Sequence, residues 1–97
     1  MARDRRQDLL NALEHPLRRS LLRRLVRSEA KMGSRELARI EEQPLSRVSY
    51  HLRRLDQLGA VETAGDLQIG FSFSQFYRPA PWVRESVEVL SALGLEG

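Results

Sequence analysis

Leu45-Ser46-Arg47-Val48-Ser49-Tyr50-His51-Leu52-Arg53-Arg54-Leu55-Asp56-Gln57-Leu58-Gly59 is the stretch on which the fold turns. At 100° per residue, Val48, Leu52, Leu55 and Leu58 share one arc with Leu45 at its edge. Ser46, Ser49, Tyr50, Arg53 and Gln57 fill the opposite arc, flanked by Arg47 and Arg54. The spacing predicts a helix over 45–58, stopped by Gly59. One side of it is built for a core, and the other presents hydroxyl, phenol and guanidinium groups.

Upstream, Gln43 and Pro44 make a tight turn, and a shorter helix reaching about Glu42 precedes it, with Ser34 as its expected N-cap and Leu37, Ala38 and Ile40 facing inward. Lys31-Met32-Gly33 forms a connector with room for one small strand. Before that, a helix over 5–14 carries Leu9, Leu10, Ala12 and Leu13, and His15-Pro16 breaks it, because the residue before a proline leaves the helical region while proline suits the first position of a new helix. The new helix is expected over 16–27, with Leu17, Leu21, Leu22, Leu25 and Val26 on one half and Arg19, Arg23, Arg24 and Arg27 on the other. Arg18 falls in the apolar half and needs a partner; an ion pair or backbone carbonyls are favoured over a nucleic-acid contact. Downstream, 60–64 and 71–78 have strand composition, and Gly65, Asp66 and Gly70 punctuate the segment between them, giving a β-hairpin. A last helix over 81–93 places Trp82, Val83, Ser86, Val87, Val89, Leu90 and Leu93 on one broad face. The expected fold is mainly α with a small β-hairpin, a single domain over 1–97.

Composition narrows the function. A chain of 97 residues, 41% hydrophobic, supports one core but not a core plus an enclosed catalytic cleft of ordinary size. No nucleophile stands with a base and an orienting group, so an enzyme is not expected. Cysteine is absent, which removes disulfides and thiolate metal sites, and no cofactor or metal is expected. No apolar run is long enough for a membrane span and no signal-peptide block leads the chain, so a cytoplasmic, nucleoid-associated location is expected. The net charge of +3 is unevenly spread: residues 1–58 hold 14 basic and 8 acidic side chains, against 2 and 5 in residues 59–97. Such a field suits a polyanion, although solvated Arg/Glu helix faces give similar counts.

Two helices joined by a tight turn, the second rich in Ser, Tyr and Arg on its outer side, fit a helix-turn-helix, whose second helix enters the DNA major groove. An ordinary solvated helix surface is the other reading of that face. The sequence Val48-Ser49-Tyr50-His51-Leu52-Arg53-Arg54-Leu55, followed by Leu58-Gly59 and Val61-Glu62, resembles the recognition-helix and first-strand pattern of the ArsR-type winged helix-turn-helix regulators. His15-Pro16-Leu17-Arg18, Ser34-Arg35-Glu36-Leu37-Ala38 and Phe76-Tyr77-Arg78 extend the likeness in the same order. The resemblance implies a winged domain, α1-α2-β-α3-α4-β-hairpin-α5, with its terminal helices, 5–14 and 81–93, making a homodimer. It implies a prokaryotic repressor of transcription that binds an imperfect palindrome in double-stranded DNA. On that reading Ser46, Ser49, Tyr50 and Arg53 approach bases, Arg35, Arg47, Arg54 and Lys31 hold phosphates, and Leu9, Leu13, Trp82, Val83, Val87 and Leu90 form the dimer seam.

The chain departs from that family pattern in three ways. It lacks the cysteines of the metal-sensing members, and its last helix has Glu85 and Glu88 without histidine, which argues against a metal. The hairpin over 60–77 has no Lys or Arg and carries Asp66, so wing contacts to DNA are not expected. No appended ligand domain is expected, so a small-molecule effector would have to bind at the dimer interface or not at all. His51 is expected to be half-buried and bonded to backbone or phosphate, and His15 to cap or pack. The rival function is a winged protein-interaction module without sequence-specific DNA binding, and the wing's lack of basic residues is its support.

Overall fold

Leucines set the architecture. Leu9, Leu21, Leu22, Leu25, Leu37, Leu52, Leu55 and Leu93 are all fully buried, and together with Val48, Val61, Val83 and Val89 they join helices and sheet in one core. The computed structural model describes residues 4–95. Its elements run α1 (Arg5–Ala12), α2 (Pro16–Arg27), β1 (Met32–Gly33), α3 (Ser34–Glu41), α4 (Leu45–Gln57), β2 (Val61–Ile69), β3 (Ser72–Pro79), α5 (Pro81–Glu85) and α6 (Val87–Ala92). The antiparallel sheet has the order β1-β3-β2.

α1 starts where the Asp4 side chain accepts from the backbone N–H groups of Arg6 and Gln7, and it ends at Ala12, two residues short of the expected Glu14. His15 is the N-cap of α2: its Nδ1 accepts from Leu17 N at 3.3 Å, with Pro16 in the first turn. Ser34 is not the cap of α3. Strand β1 runs up to Gly33, which pairs with Phe76, so the helix begins one residue earlier than expected and Ser34 lies buried in its first turn. Ile40 is 40% exposed, not inward. Three positions beyond Leu37, it sits on the flank of the helix away from Ala38. The α3–α4 turn is made by Glu42 in the left-handed region (φ 54°), with Gln43 N donating to Ala38 O at 3.0 Å.

The hairpin is longer than its composition suggests. Gly65 and Asp66 do not interrupt β2. Thr63 faces Tyr77 and Asp66 faces Gln75, so Ala64 and Gly65 together oppose Phe76 in a β-bulge, where Gly65 takes a φ of 101°. The ribbon then continues to the pair Ile69 and Ser72 and reverses through Gly70-Phe71. The expected single terminal helix is two. Ser86 leaves the helical region (φ −96°, ψ 109°) and its hydroxyl accepts from Val89 N, starting α6 afresh.

Candidate nucleic-acid interface

The back of α4 is sealed: Val48, Leu52 and Leu55 are each 0% exposed. Its front is open, with Ser46, Arg47, Tyr50, Arg53, Arg54 and Gln57 exposed and Ser49 half-buried. Pro44 begins the helix without a side-chain cap, its carbonyl accepting from Arg47 N and Val48 N at 3.1 Å each. Arg47 donates to Gln43 Oε1 at 2.9 Å and Arg54 to Gln57 Oε1 at 3.2 Å, each using one of five guanidinium N–H groups. Arg53 makes no hydrogen bond or ion pair among the described residues. Tyr50 stands edge-on to the His51 ring at 5.0 Å, which restrains its phenol on the outer face.

Arg35 also ties the wing to the motif. Its Nε donates to Phe73 O at 2.7 Å, and its backbone N–H reaches Ser74 Oγ at 3.5 Å, so it braces the hairpin against the start of α3. Lys31 does the same lower down, donating to Ala64 O at 3.1 Å with its ammonium 5.0 Å from the Phe76 ring centre.

A model of the helix-turn-helix domain matches residues 13–64, more than half of the sequence. The chain belongs to the helix-turn-helix domain family. Reduced HlyU from Vibrio cholerae N16961 is a similar solved structure, with a TM-score of 0.69 and 26% identity over 94% of this chain and 83% of that one. No curated protein matches. In this helix-turn-helix protein α3 and α4 are the two helices of the motif, the β2–β3 ribbon is the wing, and the role is DNA-binding regulation of transcription.

Beside the apolar core, polar ties hold the helix-turn-helix in place, and the sequence did not show their pairing. Arg18 Nε donates to His51 Nδ1 at 3.0 Å, so these two are each other's partner, rather than Arg18 pairing with an acid or carbonyl and His51 with backbone or phosphate. An arginine Nε can only donate, so Nδ1 carries no proton and the ring is neutral. Burial, then the neighbouring His15, Arg18 and Arg47 charges, push the His51 pKa down from its ordinary value. The His15 ring lies 4.4 Å away, between the start of α2 and the recognition helix. On the other side, Glu41 of α3 accepts from Arg24 Nε at 2.5 Å and from the Ser20 hydroxyl, both on α2. Burial raises the Glu41 pKa, but these two hydrogen bonds and the Arg24 charge outweigh it and hold the carboxyl below its usual range. The signal for the first pair was there: Arg18 and His51 both sit on the apolar edges of their helices, each needing a polar partner.

The expected dimer residues are divided. Leu9, Leu13 and Val83 are buried in the chain's own core and offer no surface. Trp82 is half-buried, its Nε1 donating to Gly59 O at 2.7 Å and the Arg5 guanidinium 4.6 Å from its ring centre. Leu90 is half-buried, and Val87 is 78% exposed. Among the described residues no group of three or more His, Cys, Asp or Glu could hold a metal, and no helix is long and apolar enough to cross a membrane.

Proposed function

We propose that the chain is a sequence-specific regulator of the ArsR type, acting as a homodimeric repressor on an imperfect palindrome of double-stranded DNA. The observation that carries this reading is the outer face of α4: seven polar residues on one arc, none of them needed by the core behind it. Ser46, Ser49, Tyr50 and Arg53 approach base edges, with Arg53 the free guanidinium for a bidentate contact. Arg47 and Arg54, at the flanks, hold phosphates, and Arg35 reaches a phosphate only with the terminal nitrogens it does not spend on the wing. The dimer is built on α1 and α5–α6 through Val87, Leu90 and Trp82. Two recognition helices then enter successive major grooves roughly 34–36 Å apart.

Selection from random duplex DNA at two salt concentrations tests the proposal. A palindrome with half-sites one helical turn apart is the expected product. Arg53→Ala should cost about 1–3 kcal/mol and relax the sequence preference, whereas Arg54→Ala should weaken all duplexes alike and lower the salt slope by about one. Equal losses on specific and random DNA for both variants defeat these assignments, and no enrichment at low salt defeats the reading itself.

A further inference from the structure

The wing, electrostatically idle in the sequence, is conspicuously apolar in the structure. Phe71 is fully exposed at the tip, Ile69 is 69% exposed, and Leu67 and Phe73 are each about half exposed. Nothing in the hairpin demands this. A two-residue turn with a positive φ at its first position asks only for Gly70, and Phe71 follows it without any backbone requirement for a large ring. Soluble surfaces rarely gather such side chains without a partner.

The distribution of these groups points to the kind of partner. Cross-strand pairs share a face, so the pairs Leu67–Ser74 and Ile69–Ser72 put Leu67 and Ile69 on one side of the ribbon, while Gln68–Phe73 and Asp66–Gln75 put Phe73 on the other. Apolar groups on both faces and at the tip of a two-stranded ribbon are covered together only by a groove that receives the ribbon, not by a flat protein surface. Beside the aromatic on the second face stand Gln68, Gln75 and the Asp66 carboxylate. Each amide spends one N–H on a carbonyl of the ribbon itself, Gly70 O at 3.2 Å and Gly65 O at 2.8 Å, and keeps its remaining groups. Amides together with Phe, Ile and Leu wedges are the chemistry that reads and opens a minor groove. The ribbon is tied to the helix-turn-helix by Lys31 at Ala64 O and, one pair in from its outer end, by Arg35 at Phe73 O, both exposed cations, so the tip is carried with the reading head and its approach is flanked by positive charge.

We propose that the wing binds DNA as an apolar wedge, with Ile69 and Phe71 entering the minor groove beside the site of α4 and unstacking a base step while Gln68 and Gln75 face the groove edges. The inference rests on the DNA-binding reading of α4 and adds to it a salt-independent share of affinity and a bend. Because pyrimidine–purine steps kink most easily, the selected duplex should carry a TA or CA/TG step where the wing falls.

The full chain and the selected duplex decide it. In the double variant Ile69→Ser/Phe71→Ser, affinity should fall about tenfold with the slope of log K against log salt unchanged, since no phosphate contact is lost. End-to-end energy transfer across the duplex, and the fluorescence of 2-aminopurine placed at the kinked step, should report bending and unstacking by the unsubstituted chain and neither by the variant. Ile69→Leu/Phe71→Leu should restore most of the affinity. Both positions are exposed, so the melting temperature is the control for folding. Unaltered affinity and an unbent duplex overturn the wedge alone. So does light scattering in which the serine variant loses self-association but keeps its DNA affinity, which makes the tip a contact to a second copy. Absence of any duplex binding by the unsubstituted chain overturns both the wedge and the reading beneath it.

Discussion

Replacing His51 by alanine removes the acceptor that Arg18 holds behind the recognition helix. The bond is 3.0 Å long, its donor is permanently charged and His51 is only 7% exposed, so it belongs with hydrogen bonds worth about 1.5–3 kcal/mol. Arg18 is half-buried and turns partly to water once its partner is gone, which places the loss at about 2 kcal/mol. In a domain of this size that is a fall of about 8–16 °C in melting temperature. Thermal melts of His51→Ala, Arg18→Ala and the double variant form a cycle whose coupling energy isolates the pair. The pH profile adds a second, independent reading. The folded state holds the His51 pKa below the ordinary 6.5, through burial first and then the charges of His15, Arg18 and Arg47. The stabilising contribution is therefore complete above the unfolded value and is lost as the pH falls through the folded one. Relative to His51→Gln, the unsubstituted protein should lose stability below about pH 6.5 and keep a constant difference above it. A coupling energy under about 0.5 kcal/mol, or parallel pH profiles of the two proteins between about pH 5 and 8, would refute the pairing as a source of stability.

Glu41→Gln should cost about 1 kcal/mol at neutral pH, a figure kept low because the Arg24 side chain is 40% exposed. Since the folded carboxyl is held below its ordinary range, the difference from the unsubstituted chain should be full above that range and vanish in melts taken in acid. Val87→Glu should convert a dimer to a monomer in sedimentation equilibrium with little change in the melting temperature of the isolated chain, because Val87 is 78% exposed; an intact dimer places the seam elsewhere. Arg35→Ala should speed hydrogen exchange in the outer half of β3 by about tenfold and leave α4 protected, since Arg35 Nε holds Phe73 O.

The sequence was informative where a single residue carried the instruction. His15-Pro16 set the start of α2, and the strict separation of Val48, Leu52 and Leu55 from the arginines exposed the polar outer face of α4. It misled where the deciding event was a local change of phase. Trp82, Val83, Val87, Val89 and Leu90 fit one continuous helix, but Ser86 caps a new one, and the reset turns Val87 to solvent. Gly65 and Asp66 resemble a turn because a bulge needs the same left-handed glycine, and that extra residue then shifts the alternation of the outer ribbon, hiding which wing residues share a face. Leu9, Leu13 and Val83 were given to a partner because a wheel shows that a face is apolar but not what covers it; a domain this small uses them for its own core. The Arg18–His51 bond joins residues 33 apart and depends on how α2 crosses α4, which no local pattern encodes.

The polar ties share one geometry: His51 and Arg18 join α4 to α2, Glu41 joins α3 to the same helix through Arg24 and Ser20, and Arg35 joins α3 to the wing. α2 is therefore the frame from which both helices of the motif are hung, and α3 passes that placement on to the ribbon. An apolar core alone tolerates small slides of one helix over another, because leucines repack at little cost. Hydrogen bonds at 2.5–3.0 Å do not. Sequence reading needs that stiffness, since a base-edge contact is lost with a displacement of about an ångström. The same reasoning separates the two variants most easily confused. His51→Ala lowers stability and blurs specificity together, because α4 loses its register, whereas Arg53→Ala blurs specificity on a helix still held in place. Melting curves and binding to single-base operator variants, measured on the same two proteins, tell frame from reader: a His51→Ala protein that melts low but discriminates as well as the unsubstituted chain would show that the leucines alone fix the register.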